Sequence, residues 1–194
     1  MQFENENIYH IYNQGNNRQQ IFFTRDNYMF FLQKIKDYIL PFSDILAWCL
    51  MPNHFHLMIY VNKAKLDFIN QNINRTRTLN QSLAIMLRSY TRAINLQENR
   101  TGSLFRERTK ALCLTRNTEL TPSYFNSEFG TVLNIDMPEL NYVQVCFEYI
   151  YKNPIKAGLV NAPEDWEFTS YLDFTGIRNW QLINRKRIEE FITC

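Results

Sequence analysis

The sequence predicts an α+β fold in which one antiparallel sheet packs against helices. Three observations support this class: 45% of the 194 residues are hydrophobic, the chain has only five Gly and six Pro, and segments of period two alternate with segments of helical period. This composition excludes a disordered or collagen-like chain. No apolar run reaches the roughly 18 residues of a membrane span, and the four Cys include no C-x-x-C pair. We therefore expect a globular cytoplasmic protein with free thiols and no membrane partner.

The first half of the chain predicts a strand, a helix and a hairpin. Residues 8–12 are rich in β-forming side chains and precede Asn13-Gln14-Gly15-Asn16-Asn17, a turn signal, so they predict the first strand. Residues 26–40 carry apolar side chains at helical spacing and end at a proline, which predicts a helix. Residues 45–50 and 54–61 predict two antiparallel strands joined by a tight turn, and the second strand alternates with period two.

The second half of the chain predicts a helix, a strand and a last helix. Residues 79–96 carry an unbroken apolar stripe at helical spacing, and residues 104–115 predict a fourth strand. Residues 117–139 are polar and acidic without clear periodicity, so we interpret them as an insertion. Residues 140–151 predict a helix that ends near Asn153-Pro154, because proline disfavours helix for the residue before it.

The resulting order of elements is β-α-β-β-α-β-α. A ferredoxin-like split βαβ sandwich satisfies this order, with an antiparallel sheet covered by helices on one face. The other face of the sheet remains available for a ligand and for the last, C-terminal helix. We expect the whole chain, residues 1–194, to form a single domain that contains the insertion.

Positive charge is concentrated in residues 75–116, which hold nine Lys or Arg and two Glu, a net charge of +7. Eight of the nine are Arg, whose planar fork suits phosphate groups. Tyr90 and Phe105 interleave with them, as in surfaces on which bases stack. A solvated helix face with its loops is the alternative interpretation. The candidates for contacts with a nucleic-acid backbone are Arg88, Arg92, Arg106, Arg108 and Lys110.

Two of the three histidines form a His-x-His pair in the predicted strand 54–61. Alternation puts His54 and His56 on one face, roughly 6.5–7 Å apart at the backbone, and directs Phe55 to the core. Two imidazoles at that spacing can converge on one divalent ion. Two half-exposed histidines on an open sheet face are the alternative interpretation. A closed structural zinc site is not indicated, because no Cys pair is nearby to complete it.

The last predicted helix offers a third ligand. Tyr149 and Asn153 are four residues apart and share a helix face, whereas Tyr151 is rotated about 200° from Tyr149. If that helix lies over the open sheet face, the site gains an amide oxygen and a phenol. Neutral nitrogen and oxygen ligands suit Mg²⁺ or Mn²⁺ holding a phosphate oxygen. A core aromatic at position 149 and a helix-ending amide at position 153 are the alternatives.

The segment Met51-Pro52-Asn53-His54-Phe55-His56-Leu57-Met58-Ile59 resembles the HUH motif (His, hydrophobe, His) of IS200-like Y1 transposases. The chain as a whole resembles the REP-associated tyrosine transposase branch of that family. Further stretches agree in the expected order and span most of the chain: Tyr9–Tyr12 with Gly15-Asn16, Gly102–Arg108, Tyr149–Val160 and Trp166–Tyr171. Two features depart from the family pattern. Tyr151 stands where the tyrosine motif usually has His, and residues 117–139 are longer than the usual connection.

The resemblance implies a ferredoxin-like transposase that cuts and rejoins single-stranded DNA, often beside a hairpin, as a monomer or a homodimer. Carried over by position, His54 and His56 bind the Mg²⁺ or Mn²⁺ ion and Asn153 completes the metal site. Tyr149 is then the nucleophile that forms a 5′-phosphotyrosine. We expect Lys152, the metal or its water to help deprotonate Tyr149, and we expect DNA binding to weaken steeply with salt.

Two other functions are compatible with the sequence. The first is a domesticated hairpin-DNA-binding protein that no longer cuts, which would bind DNA without forming a covalent adduct. The second is a metal-binding or structural ferredoxin-like domain unrelated to DNA, which would show no salt-sensitive binding of oligonucleotides. The sequence also leaves His10 open between a direct DNA contact and a position in the core or behind a metal ligand.

Overall fold

The computed structural model describes residues 2–70, 73–115 and 142–193, with only the backbone described for residues 68–70 and 73–74. The strands are β1 (Ile8–Gln14), β2 (Ser43–Met51), β3 (His54–Val61), β4 (Lys65–Asn70), β5 (Ile73–Thr78) and β6 (Lys110–Cys113). The helices are α1 (Arg25–Tyr38), α2 (Leu79–Gln97), α3 (Tyr142–Lys156), α4 (Tyr171–Phe174) and α5 (Arg185–Glu189).

Four strands form an antiparallel sheet in the order β2-β3-β1-β6. Strand β1 therefore lies in the interior of the sheet, with β3 on one side and β6 on the other. Strands β4 and β5 form a separate two-stranded sheet, so β6 is the fourth strand of this one. The strand order and the β-α-β-β-α-β connectivity of the four strands and two helices are those of a split βαβ sandwich. The ferredoxin-like α+β fold that the sequence predicts is confirmed.

The two faces of the sheet belong to two different cores. Phe55, Leu57 and Ile59 of β3 pack with α1 and α2 in the larger core. Met58, two residues from His56 on the opposite face of β3, packs with α3 in the smaller core. Helix α3 lies against β2 and β3 on that second face. The predicted alternation along β3 is therefore confirmed, and α3 covers part of the face that α1 and α2 leave free.

Two segments differ from the predicted elements. Strands β4 and β5 pair antiparallel, and the sequence pattern does not predict them because their described side chains are exposed or half-buried and show no apolar alternation. The predicted strand 104–115 is a regular strand only over Lys110–Cys113. The reason is that Leu104 and Phe105 are buried in the larger core instead of continuing the ladder, with one isolated bridge between Phe105 and Gly15.

Helix α3 continues past Pro154, where the sequence predicts that it ends. Pro154 lies within the last turn, and the helix ends at Lys156. Gly158 has a φ of +68°, its amide donates to the carbonyl of Ile155 at 2.9 Å, and the amide of Leu159 donates to the carbonyl of Pro154 at 3.0 Å. These two bonds form a Schellman motif, in which a glycine in the left-handed conformation ends a helix. Because the last turn is intact, Asn153 keeps its helical relation to Tyr149.

Two further expectations concern the membrane and the cysteines. Within the part of the chain that the structure describes, no helix combines the length and the apolar character needed to cross a membrane. Cys49, Cys113 and Cys146 are free thiols, as the sequence predicts. The interpretation of residues 117–139 as an insertion falls outside the described residues.

Candidate active site

The strand register places a row of polar side chains on the sheet face that α3 partly covers. His56 lies opposite Tyr12 of β1, and His54 lies opposite Gln14 of the same strand. His10 lies two residues before Tyr12 and therefore points to the same face. The ring of His10 is centred 5.1 Å from the ring of His56.

His54, His56 and Asn153 converge on one point. Nδ2 of Asn153 donates to Nε2 of His56 at 3.0 Å, and Oδ1 of Asn153 lies 3.3 Å from Nε2 of His54. All three side chains are buried, with relative exposures of 7%, 4% and 8%, respectively. The helix of Asn153 and the strand of the two histidines thus bring three potential ligands together.

Each histidine is also held through its other ring nitrogen. Nδ1 of His54 donates to Oδ1 of Asn53 at 2.6 Å, and Nδ1 of His56 lies 2.9 Å from Nε2 of His10. Since Nε2 of His56 accepts from Asn153, Nδ1 of His56 must carry the proton and donate to His10. Contacts of this kind fix the tautomer and the ring orientation of a metal-binding histidine.

Burial keeps the three histidines neutral. It lowers the pKa of His54 to about 4 and that of His10 to about 3. It also lowers the pKa of His56 well below the ordinary value, with smaller contributions from the charged forms of His10 and His54. A metal binds only the neutral imidazole, so near neutral pH no proton must be displaced from these side chains.

This arrangement fits a hard divalent ion. A neutral His54 that donates from Nδ1 to Asn53 has a lone pair on Nε2, which then faces the lone pairs of Oδ1 of Asn153 at 3.3 Å. A cation between these two acceptors would satisfy both. Neighbouring ligands of an octahedral ion with bonds of about 2.1 Å lie about 3 Å apart. Among the described residues there is no group of three or more His, Cys, Asp or Glu that could hold a metal.

The half-buried Tyr149 lies beside the histidines on the same face of α3 as Asn153. Its ring is centred 5.4 Å from that of His56 and 6.2 Å from that of His10. Tyr151 points away, as predicted: it is buried in the smaller core, and its hydroxyl accepts a hydrogen bond from Ser170 at 3.2 Å. Burial raises the pKa of Tyr151.

The lysine that lies against Tyr149 is not the predicted one. Nζ of Lys152 forms an exposed ion pair with Glu148 at 2.8 Å. Nζ of Lys156 lies 5.2 Å from the centre of the Tyr149 ring. The spacing of seven residues, two helical turns, could have revealed this contact, but the expected helix end near Pro154 concealed it.

Tyr12 is a second tyrosine at the site, which the sequence alone did not single out. Its ring is centred 4.9 Å from that of His10 and 5.9 Å from that of His56. Burial raises the pKa of Tyr12, and the neighbouring Tyr149 raises it further. Tyr12, His10 and Gln14 could be assigned to the site only once the register between β1 and β3 was known.

The predicted DNA-contacting residues fall into two groups. Arg88 and Arg92 are exposed on α2, which covers the sheet face opposite the histidines. Arg106 and Arg108 lie in the segment that leads into β6. Lys110 pairs with Tyr12 and is exposed, so it lies on the face of the histidines. The structure therefore brings Lys110 to the candidate site and separates Arg88 and Arg92 from it.

Comparison with known proteins agrees with a transposase-like fold. No protein-family model and no curated protein sequence matches the chain. One similar solved structure is that of a REP-associated tyrosine transposase bound to a REP hairpin. The two chains are 15% identical, with a TM-score of 0.55 over 95% of this chain and 94% of the other. The resemblance that the sequence motifs indicate is thus confirmed at the level of the fold.

Proposed function

We propose that this chain is a metal-dependent single-stranded DNA endonuclease that cuts and rejoins DNA near hairpins through a 5′-phosphotyrosine. The observation that carries the proposal is the position of Tyr149, with its ring 5.4 Å from that of His56 on the helix whose Asn153 contacts both His54 and His56. The similar fold of a transposase bound to a hairpin supports the choice of substrate.

His54, His56 and Asn153 would hold the ion, Mg²⁺ or Mn²⁺. All three ligands are neutral, so the charge of the ion would remain available to the phosphate. When bound, the ion supplies Lewis-acid chemistry at a non-bridging phosphate oxygen. Asn53 and His10 orient the two imidazoles from behind.

Tyr149 would act as the nucleophile. Its hydroxyl oxygen attacks phosphorus, the new O–P bond forms, and the bond from phosphorus to the 3′-oxygen of the preceding nucleotide breaks. The departing 3′-oxygen takes up a proton and becomes a free 3′-hydroxyl. Attack by a 3′-hydroxyl on the phosphotyrosine reverses these steps and releases Tyr149, so that joining needs no ATP.

Deprotonation of the tyrosine needs help, because a phenol with an ordinary pKa near 10 is a poor nucleophile at neutral pH. We assign this supporting role to Lys156 instead of Lys152, since the ammonium group of Lys156 faces the Tyr149 ring and that of Lys152 is paired with Glu148. A cation about 4–6 Å away favours the ionised form of a neighbouring group, so Lys156 stabilises the negative charge that develops on the phenol as the phenol proton passes to solvent.

Lys110 would bind the DNA backbone next to the site, and Arg106 and Arg108 would extend the contact along the segment before β6, where Arg108 lines a groove with Leu83 and Leu87 of α2. Lys110 lies in the same row of the sheet as Tyr12 and His56. Arg88 and Arg92 would contact DNA only outside the site, on the other side of the sheet. Contacts of this kind make the affinity for DNA fall steeply with salt.

The test is to trap the covalent intermediate. A hairpin oligonucleotide with a 5′ single-stranded extension and a 3′ label is incubated with the protein and Mn²⁺ and then separated on a denaturing gel. We expect label attached to the parent protein, none with EDTA and none with Tyr149→Phe, which should still bind the hairpin in a gel-shift assay. Tyr60→Phe is the matched control, because Tyr60 lies on the same face of β3 but packs against Phe191.

Three outcomes would contradict parts of the proposal. An adduct that persists in Tyr149→Phe would transfer the role of nucleophile to another tyrosine, with Tyr12 as the first candidate. Hairpin binding by the parent without any adduct would favour the domesticated DNA-binding protein. No binding of the hairpin at all would favour a domain unrelated to DNA.

A further inference from the structure

Gln14 is a buried amide at the edge of the candidate metal site. Its relative exposure is 5%, and neither Oε1 nor Nε2 has a partner among the residues that the structure describes. Buried polar side-chain atoms are nearly always paired, so an amide with both atoms unpaired calls for an explanation. A ligand that binds at this position would supply one.

The register of the sheet places this amide next to the proposed ion. Gln14 lies directly opposite His54 in the β1–β3 ladder. Directly opposed residues on antiparallel strands point to the same face, with Cβ atoms about 4.5–5.5 Å apart. Nε2 of His54 is on that face, 3.3 Å from Oδ1 of Asn153.

The backbone around Gln14 is closely held. The amide of Gly15 donates to the carbonyl of Asn53 at 2.8 Å, and Asn53 in turn accepts from His54. A Cβ atom at position 15 would lie 2.0 Å from the backbone oxygen of Gln19, so only glycine fits this approach. The end of β1 and the start of β3 are thus fixed against each other, which fixes Gln14 relative to His54.

We propose that Oε1 of Gln14 is a further oxygen ligand of the divalent ion, an inference that rests on the proposed function. Hard ions of this class prefer oxygen, and Mg²⁺ takes six ligands, whereas His54, His56 and Asn153 supply only three. An amide oxygen adds a donor without neutralising the charge that acts on the phosphate. The backbone that carries it belongs to an interior strand of the sheet, between β3 and β6.

The test measures Mn²⁺ binding by calorimetry in the absence of DNA. We expect Gln14→Met, which keeps the length of the side chain and removes the oxygen, to weaken Mn²⁺ binding by roughly tenfold or more. Gln14→Glu should bind Mn²⁺ at least as tightly as the parent, because affinity rises with the number of charged ligands. Gln33→Met, on an exposed face of α1, is the matched control and should leave binding unchanged.

A second measurement separates the ligand role from a role in folding. Without metal, Gln14→Met should unfold at the same temperature as the parent or higher, because it replaces an unpaired buried amide with an apolar group. Only the increase in unfolding temperature caused by Mn²⁺ should shrink. Equal Mn²⁺ affinity of Gln14→Met and the parent would overturn the inference.

The remaining outcomes are also decisive. Loss of Mn²⁺ affinity in both Gln14→Met and Gln14→Glu would overturn the oxygen-ligand role and indicate that the N–H group is required. Absence of Mn²⁺ binding by the parent protein would overturn the metal site itself and, with it, the proposed function. Binding by the parent that is lost in His54→Ala but kept in Gln14→Met would leave the proposed function intact and remove only Gln14.

Discussion

At the scale of single residues, His56 shows how a buried sheet face can be prepared for a ligand. One ring nitrogen faces Asn153 and the other faces His10. Because His10 accepts through Nε2, its own proton sits on Nδ1, which has no partner in the described chain. The group that accepts from Nδ1 of His56 is therefore the neutral ring of His10 and not a carboxylate. It orients the imidazole of His56 without adding negative charge to the site.

Replacing His10 should change metal binding through His56. In His10→Phe the acceptor for Nδ1 of His56 is lost, and we expect Mn²⁺ affinity to fall by about tenfold, as for other contacts behind metal ligands. His10→Gln, which offers an oxygen acceptor, should recover part of that affinity.

Nitrogen NMR of His56 provides the readout that a purely structural role would not move. The parent protein should show the tautomer protonated at Nδ1, and His10→Phe should show a mixture of tautomers. An unchanged tautomer and an unchanged affinity in His10→Phe would mean that His10 does not position His56.

The residues of the site differ in how visible they are in the sequence. The two-residue period is enough to place His54 and His56 on one face, and the four-residue spacing places Tyr149 and Asn153 together. His10, Tyr12 and Gln14 reach the same face only through the register of β1 against β3, which a single strand's pattern does not contain. The contact of Lys156 with Tyr149 does not follow from the sequence, because the predicted helix ends near Pro154, before Lys156.

At the scale of elements, α3 depends on how it ends. The last turn carries Asn153 and Lys156, and the Schellman motif around Gly158 holds that turn closed. Proline at position 154 removes one donor from the helix, yet the turn persists because the two bonds of the motif hold its carbonyl groups.

We expect Gly158→Ala to lower the free energy of unfolding by roughly 1–2 kcal/mol, the cost of a left-handed conformation for a residue with a Cβ atom. Apart from its chain neighbours, no described residue has a heavy atom within 4 Å of the added Cβ, so the loss reports the backbone conformation and not a clash. Denaturant unfolding measures it. Gly158→Asn should lose less, because asparagine tolerates this conformation, and equal losses for both variants would contradict the explanation.

The elements that the sequence pattern does not predict share a physical reason. Hydrophobic periodicity predicts only segments that have one buried face. The described side chains of β4 and β5 are exposed or half-buried, so these strands carry no such periodicity. Residues 104–115 are apolar enough for a strand, but Leu104 and Phe105 use their apolar surface in the core of α1 and α2. The same burial overturns the expectation that bases stack on Tyr90 and Phe105, because both rings lie inside this core.

At the scale of the whole molecule, the sheet separates a large apolar core from a face that holds three neutral histidines. The unfolded chain protonates these histidines below about pH 6.5, whereas the folded chain resists protonation because burial lowers the pKa of His54 to about 4 and that of His10 to about 3. The unfolded state therefore binds more protons in this range, and the stability must fall as the pH is lowered.

We expect the free energy of unfolding of the metal-free protein to decrease from pH 7 to pH 5, by up to about 1.4 kcal/mol per pH unit for each buried histidine. Urea titrations in EDTA at several pH values measure this slope. His54→Gln should reduce the slope by the contribution of one bound proton, about 1.4 kcal/mol per pH unit. The contribution of His54 should be complete near pH 4, where the folded state also protonates this side chain. A flat profile between pH 7 and pH 5 would show that the three histidines titrate normally.

Strand β1 contributes His10, Tyr12 and Gln14 to the site at every second position. A shift of the whole strand by one residue relative to β3 and β6 would turn all three into the core of α1 and α2 and carry apolar side chains to the face of the site in their place. The register of β1 against its neighbours is therefore fixed. Related chains can change this part of the site by substituting side chains, but not by shifting the strand.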